Sequence, residues 1–249
     1  MVVIKEPVRS QLTNEYPITI NNLLYQFQLY IKSWLNIIFC ERNLYPASNF
    51  TKRRLFELEV LSSRHPALNE WFRCLIEDIF DGFERVKVIS LRIYEEVEVS
   101  KESAIGPERT LEVYHLNLSE LQHISSYEGG INDKLADELN ENESLTWDDI
   151  LTDFRSSLHS FMLKIRTLKK FDKAHKFSIS IESDLSLGDN WILEKSGKGS
   201  ENVQKSEEKE EVSKKGNSES INIAVSPIDV GPIIVYPLIS LFNQSSTVK

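Results

Sequence analysis

Two adjoining segments decide the fold: LYPASNFTKRRLFELEV at residues 44–60 and RHPALNEWFRCLIEDIF at residues 64–80. In the first, Tyr-Pro stops a preceding helix, because Pro46 disfavours helical backbone at Tyr45, and LFELEV (55–60) alternates as a short strand. In the second, His-Pro opens a helix over 66–81 whose stripe is Leu68, Phe72, Leu75, Ile76 and Ile79, with Gly82 placed for its C-terminal cap. Pro66 suits the first helical position, where a missing N–H costs nothing. His65 then has two readings, a chemical group or a helix-entry residue that caps an orphan amide. Trp71 lies at the flank of the stripe, between its apolar and polar faces.

The elements around this pair follow from periodicity. Residues 18–42 form a helix with Ile20, Leu23, Leu24, Phe27, Ile31, Trp34, Leu35 and Ile38 at helical spacing and apolar content around the whole cylinder, as a central helix requires. RVKVISLRIY (85–94) and TLEVYHLNL (110–118) are strands joined by a charged connection with a Gly-Pro break. A polar, acidic loop spans 119–145. A long amphipathic helix covers 147–170, opened by Thr146 with Asp149 in a capping-box pattern and ending in Lys169 and Lys170. KFSISIES (176–183) alternates as a strand.

Then the character changes. Residues 196–220 are charged and low in complexity, a disordered stretch or a long surface loop. Order returns in INIAVSPIDVGPIIVYPLISLF (221–242). A tail this apolar must dock on the domain that precedes it, since an undocked one would aggregate. The expected division is an N-terminal arm at 1–17, a core at 18–183, the tail segment at 184–242 with the insert inside it, and a terminal piece at 243–249. The fold class is α+β, three helices packed on an antiparallel sheet.

Composition narrows the function. With 29 Lys and Arg against 38 Asp and Glu, the net charge of −9 suits protein partners and allows DNA only indirectly, because phosphate contacts need clustered cations. The basic clusters TKRR (51–54) and KIRTLKKFDK (164–173) are short, and read as solvated element ends before DNA contacts. Cys40 and Cys74 fall in helical apolar patterns away from any Cys/His cluster, so both read as free, buried thiols of a reducing compartment. MVVIKEPVRSQ has no apolar core with a cleavage site, and polar residues interrupt 18–39, so neither a signal peptide nor a membrane span is expected. SGKGS (196–200) lacks the strand-loop-helix setting of a phosphate loop. The five histidines share no metal-ligand spacing, and there is no nucleophile elbow. Asp148 and Asp149 sit in a first helical turn, where they complement the helix dipole. No cofactor is implied. An enzyme that assembles its groups only in space stays open as a contrasting class.

The element order resembles the HORMA domain. The segments 44–60 and 64–80, with FRSSLHSFMLKI (154–165) and DVGPIIVY (229–236), resemble the regulatory HORMA subunits of DNA polymerase zeta, in their fungal form. The resemblance covers most of 22–242, leaving out the arm and the insert. It implies a non-catalytic adaptor working in the nucleus in translesion synthesis, with a C-terminal seatbelt that wraps over a partner's peptide. The peptide adds as a strand at the sheet edge, and members of the fold switch between open and closed tails. In this family the peptide contains prolines and belongs to the polymerase's catalytic subunit. A tail surface binds the C-terminal domain of a second translesion polymerase. The resemblance places Trp71, Trp191 and Leu193 at the partner peptide and Ile234 and Tyr236 at the second polymerase. It puts His159 where animal members carry an arginine that pairs two HORMA subunits, which places such pairing in question here. The contrasting HORMA reading is an adaptor of the spindle checkpoint or the meiotic chromosome axis.

Overall fold

Thr19 starts the first helix, α1 (Ile20–Glu41), by accepting a hydrogen bond from the Asn22 N–H at 3.1 Å. The helix is buried nearly all round, as its apolar cylinder predicts. It ends before the Tyr-Pro pair acts. Asn43 adopts φ 53°, its N–H donates to Cys40 O, and the Leu44 N–H donates to Phe39 O. This is a Schellman cap with asparagine in the left-handed position, and Leu44 closes it with its side chain buried. The computed structural model describes residues 18–81, 83–96, 108–118, 146–183, 220–231 and 233–242.

The segment that alternates as one strand is a hairpin of two. β1 (Phe50–Leu55) pairs antiparallel with β2 (Leu58–Ser63), and Phe56 and Glu57 form the turn with φ of 46° and 61°. Turns of this kind favour Asn-Gly or Gly-Gly, and neither is present. Tertiary contacts hold the turn instead: Phe56 is buried and stacks on Phe154, centroids 5.2 Å apart, and Glu57 pairs with Arg155.

α2 (Pro66–Asp81) buries the expected stripe and adds Phe80. Its entry settles His65. The His65 Nδ1 accepts from the Leu68 N–H at 3.3 Å, and its carbonyl accepts from the Asn69 N–H at 3.0 Å. Ser63 Oγ accepts from the His65 N–H at 3.1 Å, while Asn36 Oδ1 on α1 accepts from the Ser63 N–H at 2.7 Å. The His-Pro pair is therefore a cap tied back to the central helix. Gly82 lies outside the described residues. Cys74 departs from expectation: it is exposed, beside Glu70 and Arg73 on the polar face of α2, and Cys40 is only half-buried. Both thiols are free.

β3 (Val86–Glu96) and β4 (Glu108–Asn117) pair antiparallel. α3 (Trp147–Thr167) opens with the capping box between Thr146 and Asp149, whose carboxyl is held below its usual range by the bonds from Thr146. It stops at Thr167 rather than 170, because Leu168 turns extended and the Lys169 carbonyl is taken by Arg42 Nη2 at 2.8 Å. Lys164 and Arg166 supply the basic last turn instead. β5 (Lys176–Ser183) joins the outer side of β3.

The tail contributes β6 (Ser220–Ala224), β7 (Ile228–Asp229) and β8 (Ile234–Phe242). β8 pairs with β4, β6 and β7 pair with β8, and the sheet runs β5-β3-β4-β8-β6. Val225, Ile228, Val230, Ile233, Val235 and Ile239 are buried in the same core as α1 and α3. Each such side chain contributes about 1.5–3 kcal/mol by leaving water. The arm, the loop 119–145, residues 184–219 and the terminal piece lie outside the described residues.

Candidate functional site

The sheet ends on β5. Its inner side is bonded to β3 from Val86↔Ser183 to Tyr94↔Lys176, and no strand lies on its outer side among the described residues. Its side chains alternate strictly: Phe177, Ile179 and Ile181 lean into the core, and Ser178, Ser180 and Glu182 are exposed. An edge of this kind offers main-chain donors and acceptors to an added strand.

An aromatic corner flanks the start of that edge. Trp71 is 38% exposed, so it is not a core residue, yet it is fixed in place. Its ring lies 5.9 Å from Phe39 and 5.9 Å from Phe177, the latter edge-on. Phe39 in turn contacts Phe177 at 4.8 Å and stacks on Tyr45 at 5.6 Å. α1 and α2 thus supply a rigid aromatic platform beside the β5 edge, with Trp71 as its exposed member. Aromatic faces placed this way suit apolar rings and cations alike. Phe177 and Tyr45 belong to the platform without having stood out in the sequence. Phe177 reads only as one apolar position of an alternating strand. Trp191 and Leu193 lie outside the described residues.

Two further regions hold the remaining candidates. On β8 the alternation puts Val235 and Ile239 in the core and turns Ile234 and Tyr236 outward, with Tyr236 45% exposed. Tyr236 sits opposite Asn117 of β4 and Ile234 opposite Asp229 of β7. On α3, His159 is exposed, and Leu163 four residues on is 52% exposed, so the two share an outward ridge. The serines that flank His159 do not join that ridge. Ser157 is buried and Ser160 half-buried, and both bind the tail.

The titratable groups of the interior are tied up structurally. Arg42 and Glu112 form a buried ion pair at 2.6 Å, and the Tyr114 hydroxyl donates to Glu112 at 2.6 Å. Burial, with Glu112 beside it, pushes the Tyr114 phenol well above its usual range. His115 bonds Ser90 Oγ through Nδ1 at 2.8 Å, and burial pulls its pKa down. His175 packs on Phe171. Among the described residues no group of three His, Cys, Asp or Glu is placed to hold a metal ion, and no helix is long and apolar enough to cross a membrane.

Known proteins relate to this geometry in two ways. No family model matches the chain. In sequence it is 29% identical over 147 residues to the DNA polymerase zeta processivity subunit of Saccharomyces cerevisiae, a match that takes in 57% of this chain. The chain spans about half (51%) of the length of that relative. In structure it is similar to C. elegans HTP-1 bound to a HIM-3 closure motif (TM-score 0.58, 13% identity, 96% of this chain and 99% of that one). It is similar to C. elegans HTP-2 bound to a HIM-3 closure motif (TM-score 0.57, 11% identity, 96% and 98%). A chain of a mitotic checkpoint complex matches at TM-score 0.58 with 11% identity, over 88% and 98%. These chains share the HORMA fold. The α+β reading and the resemblance to the HORMA subunits of DNA polymerase zeta are thereby borne out: the chain has the HORMA fold, and its sequence is similar to a processivity subunit of DNA polymerase zeta.

Proposed function

We propose that the chain is a non-catalytic HORMA adaptor of DNA polymerase zeta, acting in the nucleus in translesion synthesis. It takes a proline-containing peptide of the catalytic subunit as an added strand on β5. The observation that carries this reading is the β5 edge, which no strand covers among the described residues, with the Trp71 platform beside its start, on the side of the sheet opposite to the docked tail strands. In this arrangement main-chain bonds along β5 supply affinity, and Trp71 with Phe177 receives a proline ring. Residues 184–219, with Trp191 and Leu193, span from the end of β5 to the start of β6 at the far edge. They are the segment that would pass over a bound peptide.

Ile234 and Tyr236 form the outward tail surface for the C-terminal domain of a second translesion polymerase, so that the adaptor bridges two polymerases. His159, on the ridge with Leu163, stands where animal members carry the arginine that pairs two HORMA subunits, and its replacement leaves such pairing in question. The adaptor meets DNA only through its polymerase and uses no cofactor.

Calorimetry of the full chain against a proline-containing peptide from the cognate catalytic subunit tests the reading. The expected result is saturable one-to-one binding. An absence of binding by the wild-type chain, with recovery of checkpoint or chromosome-axis proteins in a pull-down, would replace the polymerase with a different closure partner.

A further inference from the structure

α3 carries a polar line along one side. Asp153, Ser157, Ser160 and Lys164 are spaced four, three and four residues apart, which stacks them turn above turn on one face. All four hold the stretch of tail that crosses the helix between β6 and β8. Lys164 Nζ donates to the Ala224 carbonyl. Ser160 Oγ accepts from the Ser226 N–H at 3.4 Å, and Ser157 Oγ donates to the Ser226 carbonyl at 2.7 Å. Asp153 Oδ2 accepts from the Asp229 N–H at 3.2 Å.

The line reaches into the core through one residue. Ser157 Oγ is also 3.0 Å from the Tyr30 hydroxyl on α1, and both side chains are fully buried. A serine hydroxyl has one proton. Since Ser157 gives it to Ser226, Tyr30 must be the donor to Ser157. Burial pushes the Tyr30 phenol far above its usual range, so that proton is always present. The order Tyr30 to Ser157 to Ser226 is a directed chain of hydrogen bonds from the central helix to the tail.

We propose that Asp153, Ser157, Ser160 and Lys164 are positioning residues that latch the tail closed, and that they set how long a captured peptide is retained. The peptide part rests on the function proposed above. The physical case lies in what bonds the crossing segment. Ala224, Val225, Ile228 and Asp229 also pair with β8, whereas the N–H and the carbonyl of Ser226 are bonded by Ser160 and Ser157 of α3. Each such bond contributes only about 0.5–1.5 kcal/mol net, because water replaces it on opening. The bonds from α3 add to the burial of Val225, Ile228 and Val230 in holding this strap down. Serine is a modest helix former in mid-helix positions, and two serines at these places are explained by the strap they bind.

The test uses the full chain carrying Ser157→Ala with Ser160→Ala, and separately Lys164→Met, with Ser160→Thr and Lys164→Arg as conservative controls. Two readouts are taken: amide hydrogen exchange over 224–230, and the dissociation rate of a fluorescent proline-containing peptide of the catalytic subunit. The latch predicts exchange and peptide release each at least about tenfold faster in the double-alanine chain, consistent with two lost bonds. Association should change little, and the conservative variants should stay near wild type. Unchanged exchange at 224–230, or exchange that quickens equally throughout the chain, would overturn the latch. Faster exchange with unchanged release would overturn the link to retention. If the wild-type chain binds no peptide, the adaptor reading fails and the exchange arm alone decides the latch.

Discussion

Arg42 at the end of α1 closes over the carboxylate of Glu112 on β4, with Nη2 2.6 Å from Oε1 and Nε 2.9 Å from Oε2. The pair is bidentate and buried, at 1% and 8% side-chain exposure, and the guanidinium lies 4.4 Å over the Phe171 ring. Arg42 also holds the Lys169 carbonyl, so a single side chain ties the end of α1, the middle of the sheet and the turn from α3 into β5. Removing one partner strands the other charge. Arg42→Met or Glu112→Leu alone should each lower stability by about 3–5 kcal/mol, while the double variant should recover much of that loss. Denaturant unfolding of the four chains of this cycle checks it, and equal additive losses would contradict the pairing.

The cap of α1 makes a smaller prediction. Asn43 holds φ 53°, where a β-branched side chain clashes with its own backbone. Asn43→Val should cost about 1–2 kcal/mol, and Asn43→Gly should stay close to wild type. Thermal melts distinguish the two.

Trp71 and Tyr236, the exposed aromatics among the described residues, separate the two proposed surfaces. Trp71→Ala should weaken the closure peptide by about 2 kcal/mol, roughly thirtyfold, as for an aromatic anchor. It should leave binding of the second polymerase's C-terminal domain intact. Tyr236→Ala should do the reverse. Titration of each variant with each partner checks the assignment, and a loss of both interactions in either variant would point to misfolding or to one shared surface.

Acidification should act through His115. Its folded pKa lies below the ordinary value of 6.5 because burial disfavours the imidazolium. As pH falls below that ordinary value the unfolded chain takes up the proton first, so the stability contributed by neutral His115 is present above about pH 6.5 and is lost as pH falls through the folded value. His115→Gln should therefore show a smaller drop in Tm between pH 7.5 and 5.5 than wild type. His175, also shifted down by burial, contributes with the same sign.

Local chemistry made much of this legible. The His-Pro entry, the Thr146–Asp149 capping box, the α2 stripe and the alternation of β5 are all short-range patterns, and each is found where those residues place it. The hairpin was hidden because Phe56 and Glu57 carry no turn signal. Their left-handed backbone is held from outside, by Phe154 and Arg155 on α3. Cys74 looked buried because it stands between Phe72 and Leu75 of the stripe, but at helical pitch it points away from them, beside Glu70 and Arg73.

The sequence by itself determined the three helices, the strands outside the hairpin's turn, the apolar tail that had to dock, and Trp71 as an aromatic at the edge of a stripe. These depend on spacings of a few residues, where periodicity acts. Only the tertiary structure decided where the tail goes: β8 beside β4, β6 at the far edge, and β5 as the opposite edge with no strand on its outer side among the described residues. It also decided that Ser157 and Ser160, ordinary polar positions of a helix, meet Ser226 more than 60 residues away. Strand order and side-chain partners at that separation are set by which faces pack together, and no local pattern records that choice.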